Sequence, residues 1–319
     1  MRITENMFEQ FVYFIMPFMI IFLGLIGNLL GLVTLGKRKQ ADSEIGPIHM
    51  YRFLFIIDSI ILFSFQILII DEAYSIGIFL LSIFSCKLFI YLSFTLCSLS
   101  SFNLIYILIE SYLSIKYPVE SNLLRKNKPQ FIYTTVIYII NLIYFLPIFL
   151  ISGIIQVHPR ITNNNKTFNL TCTFKTTEEH GIQALIFINR ILLPLFLIIF
   201  FSTILIYKIY TSTSRMNTFY SDRERIKFKK DVRLSIISIL FNFIQNAFSI
   251  PLFIEFFIFN NRHSPVYFLS INIFYLSYAF TFYFLLLVNS LFRKEFFSIF
   301  IKSQADVLEI EMETILRRT

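Results

Sequence analysis

Cys86-Lys87-Leu88-Phe89-Ile90-Tyr91-Leu92-Ser93-Phe94-Thr95-Leu96-Cys97-Ser98-Leu99-Ser100 opens an apolar run that continues to Glu110-Ser111-Tyr112. Stepping by alternating fours and threes from Cys86 gives Ile90, Ser93, Cys97, Ser100, Leu104, Ile107 and Ser111, which share one helix face. That face is richer in small and polar side chains than the Phe/Leu/Ile-dominated remainder. Such a stripe belongs inside a helix bundle, because small residues let neighbouring backbones approach and polar ones find partners there. For Ser93 and Cys97 two readings stand side by side: close packing, and a surface turned towards a ligand.

The rest of the chain agrees with a bundle in lipid. Of its 319 residues, 56% are hydrophobic and 15% charged, and the mean hydropathy is +0.70. A soluble fold could not hide so much apolar surface, whereas lipid accepts it if helices or closed barrels satisfy the backbone. Apolar runs near 11–35, 51–72, 84–114, 131–154, 184–209, 233–258 and 265–289 have helix length, about 20 residues, rather than barrel-strand length. They predict an all-α membrane protein, a seven-transmembrane helix bundle. Residues 1–10 read as a polar extracellular segment, 11–302 as the bundle domain and 303–319 as a cytoplasmic tail. The first apolar run is too long for a signal-peptide core and lacks a small-residue cleavage site, so it is expected to stay as an anchor.

Charge sets the expected orientation. With the N-terminus outside, 21 of the 28 Lys and Arg fall in cytoplasmic segments or, as Arg52, Lys208 and Arg233 do, at the inner ends of spans, the bias that governs insertion. The net charge of +8 is thereby read as a topology signal, not as a nucleic-acid footprint. The two glycosylation sequons, at Asn165 and Asn169, lie in the polar loop 155–183 that this rule places outside, beside Cys172. The basic loop 210–232 carries alternating charges, which suggest helical extensions of spans five and six. Phe292 to Phe300 separates apolar from charged residues, as in a short amphipathic helix on a membrane surface.

Three intramembrane charges stand out. Asp58, near the middle of span two, costs about 2.5–3.5 kcal/mol on insertion scales and needs a partner or a function. Asn28, Ser100, Ser277 and Thr281 are its plausible neighbours. The set reads either as an ion site or as a hydrogen-bonded or protonated structural aspartate. Arg190 and Glu255 each lie four residues from a proline, Pro194 and Pro251. They read either as a pair across the bundle or with Arg190 meeting an anionic ligand group.

These residues resemble the rhodopsin-like G-protein-coupled receptor family over about residues 25–300. Gly27-Asn28 is similar to its first-span pair, and Leu54-Phe55-Ile56-Ile57-Asp58 to its second-span pattern. Cys86 through Glu110-Ser111-Tyr112 to Ile115-Lys116-Tyr117-Pro118, then Pro194, Pro251 and Phe292-Arg293, follow in the family's order. Phe145-Leu146-Pro147-Ile148 and the seventh span resemble invertebrate peptide-receptor-like orphans, FMRFamide-like ones included.

The resemblance implies a Cys86–Cys172 bridge and an allosteric sodium pocket at Asn28, Asp58, Ser100, Ser277 and Thr281, with no other cofactor or metal. It implies an outer ligand pocket with Ser93, Cys97, Arg190, Ser249, Glu255 and Tyr278 as candidates. Glu110, Ser111, Tyr112, Lys116, Arg225, Lys229, Lys230 and Arg233 would form the G-protein side, where basic residues would equally suit anionic headgroups. The implied partners are an extracellular ligand, with a peptide as the candidate chemistry, a heterotrimeric G protein and the plasma membrane. The chain departs from the family at the triplet's arginine (Ser111), the sixth-span tryptophan (Ser249), the fifth-span tyrosine (Ser202) and the seventh-span NPxxY (Thr281-Phe282-Tyr283-Phe284-Leu285). The alternative is therefore a non-signalling or decoy receptor.

Rival classes fare worse. A transporter would show repeats and broken helices at mid-membrane, and a channel a filter loop or charged pore ring. An enzyme is not expected: the chain has no HExxH, no GxS nucleophile pattern and no paired span aspartates, and its four His fall in loops or at span ends.

Overall fold

A computed structural model describes residues 7–36, 48–74, 82–117, 127–162, 165–174, 188, 192–219, 222–255, 264–290 and 292–299. Helix α1 spans Met7–Gly36, with a π-helical turn at Phe11–Ile15. It is followed by α2 (Ile48–Tyr74), α3 (Ile83–Lys116) and α4 (Asn127–Ile151). A hairpin of β1 (Ser152–Thr162) and β2 (Asn165–Phe174) follows α4 directly. Then come α5 (Leu193–Phe219) and α6, which runs Asp222–Ala247 and resumes at Ile250–Ile254. Helix α7 covers Pro265–Val288, and α8 residues 292–299. Among the described residues, six helices are long and apolar enough to cross a membrane, and α4 adds a shorter apolar stretch, Thr135–Leu150.

Local chemistry sets the ends of these helices. Ser82 and Ser85 cap α3 reciprocally, each hydroxyl accepting from the other's backbone N–H at 3.0 and 3.1 Å. Ser264 caps α7 by accepting from the Tyr267 N–H at 3.0 Å, with Pro265 at the first helical position where no amide is needed. Asn289 ends α7 and starts α8: its Oδ1 accepts from the Phe292 N–H at 3.2 Å. Pro251 lacks the amide that would continue α6, and the helix breaks into a turn at Phe248–Ser249.

Packing follows the predicted face. Helix α3 contacts α2, α4, α5 and α6, and Cys86, Ser93, Cys97, Ser100, Leu104, Ile107 and Ser111 are all buried. Helix α1 lies against α2 and α7 at glycine contacts. A Cβ on Gly24 would collide with Leu62 and lie 2.9 Å from the Ala279 Cβ; one on Gly31 would lie 2.5 Å from the Phe55 ring. Conversely, Leu29 and Phe22 of α1 are 61% and 66% exposed, as a lipid-facing surface requires.

Polar side chains divide into two kinds. Thr34, Ser59, Thr95, Ser101, Ser111, Thr203 and Thr211 each donate to the carbonyl four residues earlier in their own helix. Others cross between helices: Ser98 donates to Asn141 Oδ1 at 2.8 Å, and the Tyr91 hydroxyl to the Leu142 carbonyl at 2.8 Å, joining α3 to α4.

The end of span four and the loop after it differ from the sequence expectation. Span four stops at Ile151, and residues 152–154, expected inside it, begin β1. The polar loop 155–183 contains most of an antiparallel hairpin, with Ile154 opposite Cys172 and an irregularity between Val157 and Arg160. The helical extensions expected in 210–232 are present: α5 reaches Phe219 and α6 starts at Asp222. The tail 303–319 lies outside the described residues.

Candidate functional site

Three groups of polar residues lie along the bundle. At its middle, fully buried Asp58 is held between two helices. The Ser100 hydroxyl of α3 donates to its Oδ1 at 2.7 Å, and the Thr281 hydroxyl of α7 to its Oδ2 at 2.8 Å. The node thereby ties α2, α3 and α7 together. Ser277, expected beside it, turns back to the Phe274 carbonyl at 2.7 Å. Asn28 is fully buried, and neither of its amide atoms has a partner among the described residues.

Towards the Cys86 end, Ser93 is buried with its hydroxyl unpartnered among the described residues. Cys97 is buried and outside any disulfide; Tyr278 is buried in the core. Ser249 lies in the α6 break, its hydroxyl 3.4 Å from the Gln245 carbonyl. Glu255 is buried and accepts from the Ser264 hydroxyl at 3.0 Å, linking α6 to the cap of α7. Arg190 lies outside the described residues, so the expected Arg190–Glu255 pair does too. Sequence reading passed over Gln66 and Asn272, both fully buried: among the described residues neither amide atom of Gln66 has a partner, and Asn272 donates through Nδ2 to the Val12 carbonyl at 2.9 Å while its Oδ1 has none. The signal was available: an uncharged amide inside an apolar run needs a partner, water or a ligand as surely as a charge does. Cys86 is disulfide-bonded. Cys172 lies in β2 and the hairpin contacts α3. Asn165 and Asn169 are also in β2.

At the other end, Glu110 is 2% exposed. The Ser111 hydroxyl donates to Ile107 of its own helix at 2.8 Å. Tyr112 is half-buried against Leu108, Ile115 and Leu205. Lys116 is exposed, its Nζ 5.5 Å from the Tyr112 ring centre and 4.8 Å from that of Tyr117. Lys229 and Arg233 are exposed on α6, whose backbone also carries Arg225 and Lys230. Tyr51, which sequence reading missed, is hydrogen-bonded through its hydroxyl to Ser238 of α6 and interacts electrostatically with Glu110. Its position was readable in principle, since it lies seven residues before Asp58 on the same face of α2. Ser202 is buried with its hydroxyl unpartnered among the described residues.

Finally, Phe282, in place of the motif's proline, stands edge-to-face against Phe292 and Phe296 at 5.8 and 5.6 Å and fixes α8 to α7.

A bundle of apolar helices, a carboxylate node at its middle and a jointed sixth helix define a multi-pass membrane protein of the seven-helix class. The family described as 7 transmembrane receptor (rhodopsin family) matches residues 27–290, and the chain belongs to that family. Its class is therefore that of receptors rather than enzymes. No curated protein matches the chain.

Proposed function

We propose that the protein sits in the plasma membrane with its N-terminus outside, binds an extracellular ligand between the Cys86-side halves of its helices, and activates a cytoplasmic G protein. The observation that carries this reading is the joint in α6. Its long Asp222–Ala247 segment meets the Ile250–Ile254 segment at a two-residue turn beside Pro251. A ligand that favours one angle at the joint shifts the population at the Glu110 end, where the exposed Lys116, Lys229 and Arg233 face a partner.

The ligand is a peptide, of the kind bound by FMRFamide-like receptors. Unpartnered Gln66 and Ser93 support a polar ligand, because a buried amide or hydroxyl contributes most when a ligand group completes it. Cys86 pairs with Cys172, since Cys97 is outside any disulfide and the chain has three cysteines. The bridge holds the hairpin over the bundle mouth.

The Asp58 node fits a sodium ion. Its carboxyl group and the Ser100 and Thr281 hydroxyls supply hard oxygen donors of the kind such an ion takes.

The test is G-protein activation in cells by the wild type and Ser111→Arg at matched surface levels, across a panel of Gα subunits. Activation by either above a no-receptor control is the expected outcome. Silence of both, with and without candidate peptides, would favour the second reading, a non-signalling descendant. That reading draws on Ser111, whose hydroxyl proton is given to Ile107 of its own helix.

A further inference from the structure

Among the described residues, the Ser111 hydroxyl donates to Ile107 of its own helix. Resting on the receptor reading above, we infer that the Tyr51–Ser238 hydrogen bond is the latch that holds the inner end of α6 against α2 and α3.

Three observations converge on this pair. The two hydroxyls are hydrogen-bonded, and Glu110 stands close enough to Tyr51 to interact with it. All three side chains are buried: Tyr51 is 5% exposed, Ser238 2% and Glu110 2%. Tyr51 also shares one core with Ile237 and Phe241 of α6 and with Leu104 and Ile107 of α3, so its ring is seated where three helices meet.

Geometry makes the bond sensitive to the joint. Ser238 lies ten residues before Phe248, about 15 Å along the helix at 1.5 Å per residue. A swing of about 20°, the size of a sharp helix kink, moves Ser238 by about 5 Å. A hydrogen bond does not survive that displacement, since its oxygens must stay within about 3.0 Å. The bond therefore belongs to the closed arrangement alone, and opening uncovers the Tyr51 hydroxyl and Glu110 together. Because both partners are neutral, the latch is weaker than an ion pair and yields to a modest ligand preference.

The test reads helix position without a G protein. Spin labels go on the exposed positions Arg233 and Phe297, each changed to Cys, with the buried Cys97 left in place. Pulsed distance measurement in nanodiscs then compares the parent with Tyr51→Phe, Ser238→Ala, the double variant and Ser238→Thr. Each single variant is expected to raise the ratio of long to short distances about two- to tenfold, the equivalent of one neutral hydrogen bond. The double variant should add little to either single, since both remove the same bond. Ser238→Thr, which keeps a hydroxyl, should restore the parent distribution. Unchanged distances in both singles, or full additivity in the double, would overturn the latch. If the distances shift while no Gα subunit responds, the latch stands and the G-protein reading falls.

Discussion

Asp58 shows what one residue can do in a bundle. Each carboxylate oxygen receives one hydroxyl, from Ser100 and Thr281. Removing either donor leaves an oxygen without its partner in a place water reaches poorly. Ser100→Ala and Thr281→Ala are each expected to cost about 1.5–3 kcal/mol, read as a lower unfolding temperature in detergent, with less than additive loss in the pair. Under the proposed sodium binding, sodium chloride raises the unfolding temperature more than choline chloride does, and Asp58→Asn abolishes the difference. Equal effects of the two salts on the wild type would remove the ion from the site. At this scale the sequence was partly readable. The oxygen-rich set was visible around Asp58, and two of its four proposed neighbours donate to it. Ser277 gives its proton to the Phe274 carbonyl instead, since a helical hydroxyl has a competing acceptor one turn back in its own backbone.

At the scale of elements, close approach depends on what is absent from a side chain. Gly24 lets α1 touch α2 and α7 at once, with Ala279 as the opposing surface. Gly24→Val is expected to force those helices apart at about 1–3 kcal/mol, seen as reduced surface expression that partly recovers at lower temperature. An unchanged level would mean that α1 is less tightly docked than its glycines indicate. The helices themselves were legible: the runs of apolar residues mark all seven, though α5 reaches Phe219 and α6 starts at Asp222, well past the apolar runs, and α4 gives way to β1 at Ser152. That miss has a physical origin. Ser152-Gly153-Ile154-Ile155 is apolar enough to continue a span, and nothing in composition says whether a strand or helix satisfies its backbone. Pairing with β2 decides it, and pairing is a long-range fact. The joint of α6, by contrast, was written into the chain by Pro251.

For the whole molecule, orientation follows from where the positive charges fall. If the N-terminus is outside, the hairpin is outside too, and its sequons meet the glycosylation machinery. Asn165→Gln and Asn169→Gln should each increase the gel mobility of protein made in animal cells, and the double variant should match glycosidase-treated wild type. Wild type that is insensitive to the glycosidase would count against the proposed orientation. The Tyr51–Ser238 contact was the least legible feature. It joins residues nearly 190 positions apart, and neither a tyrosine nor a serine announces a partner in the way a buried charge does.

The hydroxyls that bond back to their own helices have a consequence for how such a chain ages. Thr34, Ser59, Thr95, Ser101 and Thr203 each complete a bond with a carbonyl that the helix already uses. Alanine in their place strands no neighbour, so these positions can wander from one lineage to another without disturbing the bundle. Contacts such as Ser98–Asn141 and Thr281–Asp58 have no such freedom, because a change on one side orphans the other. Ancestry in a fold of this kind is written in a thin set of cross-helix pairs, while the bulk of the text is free to be rewritten.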